Sequence, residues 1–217
     1  MRIKLQDQVP YQDSLRWKIH DDYFQSRGAD AFVEREVPSN ITSNPAAAFQ
    51  NARVLVEALR FQQLDPAAPV RILEVAGGLG IFAINFIRAF EVLCRQAEVD
   101  YSDRLEYWLT DFSLKTLQTL AKHPVYQSKI QQGRLHLYRL NALEPETVTN
   151  LAGKAHPLPE CGFSAILANY HHCTLPVAIL LHHQGAFIEL QTELFGWLAG
   201  SPKKETSEAQ RGALLQQ

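Results

Sequence analysis

The chain has 217 residues, of which 46 % are hydrophobic and 20 % are charged. This composition excludes collagen-like, mucin-like and wholly disordered chains, and it is typical of one folded domain with additional segments at its ends. The 21 basic residues are balanced by 23 acidic ones, for a formal net charge of −2. Because nucleic-acid backbones are bound by basic fields, we expect no nucleic-acid partner.

Cysteine content and hydropathy predict a cytoplasmic protein. The three cysteines are widely spaced and odd in number, so they do not form a disulfide framework, and a reducing compartment is the simpler interpretation. The N-terminus alternates charged and apolar residues and lacks the apolar core of a signal peptide. No apolar stretch reaches the roughly 18–20 residues of a membrane helix, so we expect no membrane association.

Helical and extended patterns alternate along the chain. The spacing of apolar residues predicts a covering helix within residues 11–35, a turn-rich segment at 37–45 and a helix at 46–61 that begins at Asn44 and Pro45. Strands are predicted at 70–75, 105–110, 134–140 and 161–168, with helices at 81–94 and 114–122 and a helix or loop at 144–155. This alternation indicates an α/β fold with a parallel sheet and right-handed crossovers.

The same patterns divide the chain into three parts. Residues 1–64 are expected to form an N-terminal helical lid or cap, residues 65–199 a Rossmann-like cofactor-binding core, and residues 200–217 a polar, flexible tail. Beyond the fourth predicted strand, residues 177–181 and 185–190 offer a helix start and one more strand.

A glycine-rich turn, Ala76-Gly-Gly-Leu-Gly80, links the first predicted strand to an apolar helix. Such a turn lets a ligand approach the backbone closely, next to the amides of a helix N-terminus. The spacing Gly78-x-Gly80-x-x-Ala83 also satisfies the dinucleotide fingerprint, so an NAD(P)-binding oxidoreductase stays open. Glu74 lies inside the turn, where a carboxylate would repel a pyrophosphate but suits an amino-acid ammonium group or structures the loop that binds one. This favours S-adenosylmethionine as the cofactor.

Polar side chains also follow the second and third predicted strands. Asp111 lies where a carboxylate would accept hydrogen bonds from two ribose hydroxyls, Phe112 beside it would cover an adenine face, and Asn141 would meet the adenine edge. The alternatives are that Asp111 caps the next helix and that Asn141 is a turn residue. The residues that we expect at the cofactor are Glu74, Ala76, Gly77, Gly78, Gly80, Asp111, Phe112, Asn141 and Asn169.

The run Ile72-Leu-Glu-Val-Ala-Gly-Gly-Leu-Gly80 resembles the first motif of class I S-adenosylmethionine-dependent methyltransferases, with Ala76 where the first glycine is usual. The resemblance implies methyl transfer to a protein side chain or a small-molecule nucleophile. The order of Thr42-Ser-Asn-Pro45, the glycine turn, Asp111-Phe-Ser113 and Leu167-Ala-Asn-Tyr-His-His-Cys-Thr-Leu-Pro176 is similar to that of the MidA family, which includes a mitochondrial methyltransferase that assists assembly of respiratory complex I.

The chain departs from the MidA pattern on the substrate side. Tyr170 and Cys173 stand where the family has acidic residues. The resemblance implies an arginine guanidinium as the substrate group that those acids orient, and Tyr170 and Cys173 cannot orient it by charge. The resemblance also implies that a stretch around Trp17 covers the cofactor; the alternative is a helix on the sheet edge. The candidates that we expect to face the methyl acceptor are Asn169, Tyr170, His171 and His172, and either histidine would serve as a base near neutral pH.

Clustered histidines and a cysteine also raise a metal hypothesis; they are His171, His172, Cys173, His182 and His183. Adjacent histidines point apart on a strand and diverge on a helix, and the sequence has no C-x-x-C or H-x-x-x-H pair. We therefore expect no metal site.

The length limits the predicted sheet. A class I methyltransferase sheet normally has seven strands, and only four parallel ones are predicted here, so we expect a sheet that is truncated at its C-terminal strands. An uncovered sheet edge favours association, so a protein substrate or partner is expected to cover it. This expectation, with the lost acidic residues, supports an alternative function as a non-catalytic methyltransferase-like assembly or interaction protein.

Overall fold

A computed structural model of the chain describes residues 2–34, 43–62, 65, 67–169 and 171–197. Its contacts divide the chain into two compact units, Asp21–Leu175 and a smaller unit of Met1–His20 with Pro176–Gln217. The boundaries predicted after residues 64 and 199 rest on composition and stay predictions. Within the described ranges, no helix combines the length and apolarity that a membrane span requires.

The larger unit alternates helices and strands as predicted. Its elements, after the end of α1 (Leu15–Arg27), are α2 (Asp30–Val33), α3 (Pro45–Gln62), β2 (Val70–Val75), α4 (Ile81–Gln96), β3 (Leu105–Asp111), α5 (Leu114–Lys122), α6 (Pro124–Gln131), β4 (Leu135–Arg139), β5 (Thr147–Asn150), β6 (Ala155–Pro157) and β7 (Ala165–Ala168). Asn44 caps α3 as predicted, because its Oδ1 accepts the Ala47 amide at 2.9 Å.

These strands form one sheet in the order β6-β5-β4-β3-β2-β7. β4, β3, β2 and β7 are mutually parallel, and β5 and β6 extend the sheet in antiparallel fashion. The chain therefore runs outward from β2 to β4 and returns to the other side of β2 at β7, which is the doubly wound order with its switch point between β2 and β7. The predicted α/β, Rossmann-like fold is confirmed.

One face of α4 fixes this helix against the sheet. Phe82, Phe86 and Phe90 recur every four residues, so their rings lie on one side of the helix and are buried. The Phe86 ring lies 5.9 Å from that of Phe90 and 5.6 Å from that of Tyr107 on β3. Each buried ring contributes about 1.5–3 kcal/mol, so the start of α4 is held firmly at the end of β2.

Two segments of the larger unit differ from the prediction. Residues 144–155, predicted as a helix or loop, contain β5 and lead into β6. Asn150 explains the reversal, because its Oδ1 accepts the amides of Ala152 and Lys154 and so closes a turn between the two strands. Helix α6 was not predicted, although Pro124 at its first position and His123 as its cap are ordinary start signals.

The smaller unit contains strands β1 (Arg2–Pro10), β8 (Leu180–His183), β9 (Ala186–Glu189) and β10 (Gln191–Trp197). β1, which the sequence did not predict, pairs with β10 in antiparallel fashion. The helix start predicted at residues 177–181 is wrong: β8 begins there and turns into β9 through Gln184 and Gly185, whose φ of 50° and 80° suit a two-residue hairpin. In the part of the chain that the structure describes, none of these strands joins the six-stranded sheet.

Candidate functional site

The glycine turn (residues 76–80) lies at the switch point of the sheet, where ligands of open α/β sheets bind. Hydrogen bonds tie it to the end of β3: the Gly77 amide donates to the Thr110 carbonyl at 2.9 Å, and the Thr110 hydroxyl donates to the Glu74 carbonyl at 2.7 Å. The Gly80 amide donates to the Gly77 carbonyl at 2.9 Å. The turn is thus built against β3 before any ligand arrives.

Two glycines of the turn are required by close packing. A Cβ on Gly77 would lie 2.0 Å from Leu109 Cδ1, and one on Gly80 would lie 2.9 Å from both Leu109 Cδ2 and Tyr126 Cε1. Gly80 also has a φ of 63°, in the left-handed region that favours glycine. The Tyr126 hydroxyl donates to the Leu79 carbonyl at 2.5 Å and closes the turn from the side of α6.

Ala76 departs from the usual glycine at a position where the backbone matters. Its φ is 56°, in the left-handed region that costs a non-glycine residue about 1–2 kcal/mol. The structure shows that conformation, rather than size, makes glycine the usual residue here.

We predict opposite effects for two single substitutions in this turn. Ala76→Gly relieves the left-handed strain but adds chain entropy to the unfolded state, so it should raise the free energy of unfolding by about 0.5–1 kcal/mol. Gly77→Ala forces a methyl group into Leu109 and should lower it by about 3 kcal/mol. Urea unfolding of the two variants beside the wild type measures both changes. A stabilised Gly77→Ala variant would contradict the packing described here.

Glu74 is the buried acid beneath the turn. Its side chain is 3 % exposed, Tyr107 donates a hydrogen bond to Oε2 at 2.9 Å, and its carboxyl carbon lies 3.2 Å from the position of a Gly77 Cβ. Burial raises the pKa of Glu74 to about 8; the Tyr107 hydrogen bond opposes this shift, and the nearby Asp111 charge adds to it. At neutral pH Glu74 is therefore mostly a neutral carboxylic acid. It packs beneath Gly77, and the two roles that the sequence left open for it, contact with the ligand or support of the loop, stay predictions.

The pH dependence of stability tests the charge of Glu74. Between its ordinary pKa of 4.5 and its folded pKa of about 8, the folded protein holds a proton that the unfolded chain has lost. The free energy of unfolding therefore falls as the pH rises through this window. In Glu74→Gln this loss disappears, so the stability of the variant relative to wild type should increase from pH 5 to pH 8 by about 1.4 kcal/mol per pH unit, towards a total of about 3–5 kcal/mol.

Urea unfolding at pH 5, 6.5 and 8 measures this difference. Glu146→Gln, which changes an exposed carboxyl group, is the matched control and should leave the pH dependence as it is. A difference between wild type and Glu74→Gln that stays constant over the three pH values would mean that Glu74 is charged in the folded protein.

Asp111 links the glycine turn to the start of α5. Its Oδ2 accepts the Gly78 amide at 3.0 Å, and its Oδ1 accepts the Ser113 amide at 2.8 Å. Burial raises the pKa of Asp111, and the two amide hydrogen bonds oppose that shift. Ser113 caps α5 through a 3.2 Å hydrogen bond from the Thr116 amide, so the cap is not Asp111. Each carboxylate oxygen uses one lone pair on a backbone amide and keeps another for a ligand.

Phe112 and Asn141 flank Asp111 with partners of their own. The Arg139 guanidinium lies 5.8 Å from the Phe112 ring, and its Nε donates to the Phe112 carbonyl at 3.1 Å. Asn141 is exposed; its Oδ1 accepts the Leu143 amide at 3.1 Å, and its Nδ2 donates to Glu144 at 3.3 Å. Asn141 thus forms a turn in this structure, and its contact with adenine stays a prediction.

The acceptor-side candidates follow β7 beside the turn, because Ala168 is the register partner of Val75. Asn169 follows directly, and Tyr170 lies outside the described residues. His171 is 8 % exposed, and in the described part of the chain its Nδ1 has no hydrogen-bond partner. Burial lowers the pKa of His171, with a smaller contribution from His172, whose exposed ring lies 5.7 Å away. His171 is therefore buried, and its environment favours the neutral form of its ring.

The described ranges contain no group of three His, Cys, Asp or Glu side chains that would hold a metal ion.

The stretch around Trp17, which was expected to cover the cofactor, lies in α1. The Trp17 ring N–H donates to the Tyr11 carbonyl at 2.8 Å within the smaller unit.

Sequence reasoning missed the aromatic side chains around the turn. Tyr126 donates to the turn from the side, and Tyr107 donates to Glu74 beneath it. Phe32 of α2 lies on the outer surface of the turn, with Cζ 3.5 Å from the position of a Gly78 Cβ. Tyr107 carried a usable signal, because it lies two residues from Leu109 on the same face of β3. Phe32 carried none, since its contact is tertiary.

Neither a family model nor a curated protein matches this chain. Two solved structures from Burkholderia thailandensis are similar to it. One is an uncharacterized protein with 17 % identity and a TM-score of 0.48, and the match covers 96 % of this chain and 46 % of that chain. The other belongs to the same superfamily, is described as a "likely methyl transferase" bound to S-adenosyl-homocysteine, and has 18 % identity, a TM-score of 0.47 and coverage of 95 % and 49 %. The chain spans about half the length of these structures.

Proposed function

We propose that this chain binds S-adenosylmethionine at the glycine turn and transfers its methyl group to a nucleophile on a protein side chain or small molecule. The observation that carries the proposal is the Asp111 carboxylate, which braces Gly78 and keeps one lone pair on each oxygen at the switch point of a Rossmann-like sheet. Membership of the MidA family is part of the proposal and rests on the order of the motifs.

The residues present suit the two ends of this cofactor. Asp111 would accept the two ribose hydroxyls through its remaining lone pairs, which is a charge-assisted, bidentate contact. Gly77 and Gly78 carry no side chain that would block the amino-acid end, and Thr110 and Asp111 hold their backbone amides in place. S-adenosylmethionine, when bound, supplies a methyl group on a positively charged sulfur.

The turn suits a pyrophosphate poorly, which counts against the NAD(P)-binding alternative. A dinucleotide needs free backbone amides, but those of Gly77, Gly78 and Gly80 already donate to Thr110, Asp111 and Gly77. The repulsion that the sequence suggested for Glu74 does not contribute, because Glu74 is mostly neutral, so the occupied amides carry this argument.

The acceptor is proposed to approach along the residues that follow β7. A nucleophile that carries a proton must release it during or after methyl transfer, and a neutral imidazole is a suitable acceptor. His171 is buried and, among the residues that the structure describes, its Nδ1 has no hydrogen-bond partner, whereas His172 is exposed. We therefore assign the proton-accepting role to His171, with Asn169, Tyr170 and His172 as its neighbours on the acceptor side.

A second candidate function is that of a non-catalytic assembly or interaction protein. The observation in its favour is the edge of the sheet: within the described residues β7 pairs on one side only, with β2, and Ile166 on it is 64 % exposed. A protein substrate or partner would cover this edge by adding a strand. We propose a cytoplasmic location as well, because the odd number and wide spacing of the three cysteines favour a reducing compartment.

Ligand binding separates these candidates. Isothermal titration of the folded chain with S-adenosylmethionine and with S-adenosylhomocysteine should show binding of both. Asp111→Ala removes the acceptor of the ribose hydroxyls and should weaken both ligands at least tenfold, since a charge-assisted, bidentate contact is lost.

Two controls define the result. Thermal unfolding of Asp111→Ala establishes that the variant is folded, and Asp103→Ala, which removes an exposed carboxylate, should bind both ligands as the wild type does. Absence of heat and of any thermal shift with either ligand on folded wild-type protein would reject the cofactor and leave the interaction function. Unchanged affinity in Asp111→Ala would remove Asp111 from the ribose role.

A further inference from the structure

The segment of residues 24–34 brings one aromatic ring onto the glycine turn. Phe32 lies with Cζ 3.5 Å, and both Cε atoms within 4 Å, of the position that a Gly78 Cβ would occupy. The ring therefore lies against the backbone of Gly78, whose amide donates to Asp111. An aromatic ring at that place is within reach of whatever ligand Asp111 and Gly78 hold.

Several contacts fix this segment on the start of α5. Lys115 Nζ donates to the Ser26 carbonyl at 2.8 Å and forms an ion pair with Asp30 at 3.4 Å. Gly28 has a φ of 57°, and a Cβ on it would lie 3.0 Å from Cγ and Cδ of Lys115, so the backbone approaches that side chain closely. The Phe24 ring packs on Phe32 with a centroid distance of 5.8 Å. Phe32 is thus held in position by packing and by charge.

The covalent structure of S-adenosylmethionine relates this ring to the charge of the ligand. Its sulfonium is bonded directly to C5′ of the ribose, so a ribose held by Asp111 carries the positive sulfur to the neighbourhood of Gly78. The face of an aromatic ring attracts a cation within about 6 Å of its centre. Phe112 also flanks Asp111, but the Arg139 guanidinium already faces its ring. Among the described residues, no lysine or arginine lies over Phe32 in this way.

We propose that Phe32 recognises the sulfonium charge of S-adenosylmethionine and so makes the site prefer the charged methyl donor over its neutral demethylated product. This inference rests on the proposed function and deepens it. S-adenosylhomocysteine shares the ribose, the adenine and the amino-acid end but has a neutral thioether, so it loses only the contact with the ring. The preference favours exchange of product for donor after each transfer.

The test compares two ligands across matched variants. Phe32→Leu replaces the ring with an apolar side chain that has no aromatic face. Affinity for S-adenosylmethionine should therefore fall about threefold to thirtyfold, which is the range of a partly desolvated cation–π contact. Affinity for S-adenosylhomocysteine should fall less than twofold. Phe32→Tyr keeps the ring and should retain the preference. Phe61→Leu, which makes the same change on a ring that is 90 % exposed, is the control and should affect neither ligand.

Titration calorimetry gives both dissociation constants for each variant, and thermal unfolding checks that each is folded. An equal loss of both ligands in Phe32→Leu would overturn the inference, because the ring would then act only as a wall of the site. Unchanged affinities would overturn it as well. If neither ligand binds the folded wild type, the proposed function itself fails. If both ligands bind the wild type but Phe32→Leu shows no selective loss of S-adenosylmethionine, only this inference fails. Should Phe32→Leu not fold, loss of the preference in Phe32→Tyr would contradict the proposal.

Discussion

The absence of a side chain at Gly77 is the constraint on which the site depends. Only a glycine lets the turn lie against Leu109, since even a methyl group would come within 2.0 Å of that side chain. This close approach brings the Gly77 amide to the Thr110 carbonyl and places Gly78 beside Asp111. The order of the sheet completes the site, because β3 and β7 flank β2 and bring their last residues to the same edge.

The buried acid beneath the turn acquires its role from this packing. A charged carboxylate under Gly77 would sit close to the charge of Asp111, and burial makes such an arrangement costly. Protonation removes the conflict, since a neutral Glu74 still accepts a hydrogen bond from Tyr107 and leaves Asp111 as the charged group at the turn. A carboxyl group in the motif is thus compatible with a ligand that carries hydroxyls, and it need not contact the ligand at all.

The parts predictable from the sequence were those set by local pattern. β2 and α5 begin and end at the predicted residues, because Pro69 and the glycine turn bound one and the Ser113 cap begins the other. Pairings over long distances were not predictable: β1 meets β10 through residues such as Lys4 and Glu193, which are 189 positions apart. Nothing in the spacing of apolar residues encodes such a partner.

The residues of the candidate site also divide into those that local pattern predicts and those that depend on tertiary contacts. Its strand-end residues were predictable because parallel strands bring their carboxyl ends together, whereas the state of Glu74 and the position of Phe32 depend on burial and on tertiary contacts.

The proposed ligand is argued from the contacts on the two sides of the turn. The amides of Gly77, Gly78 and Gly80, which a phosphate would need, already donate to Thr110, Asp111 and Gly77. On the outer surface of the turn, the Phe32 ring lies against Gly78, and the face of an aromatic ring attracts cations. A ligand that has vicinal hydroxyls, no phosphate and a positive charge close to its ribose satisfies all of these groups at once. A dinucleotide satisfies only the carboxylate, so the chemistry of the surroundings discriminates where the spacing of the glycines does not.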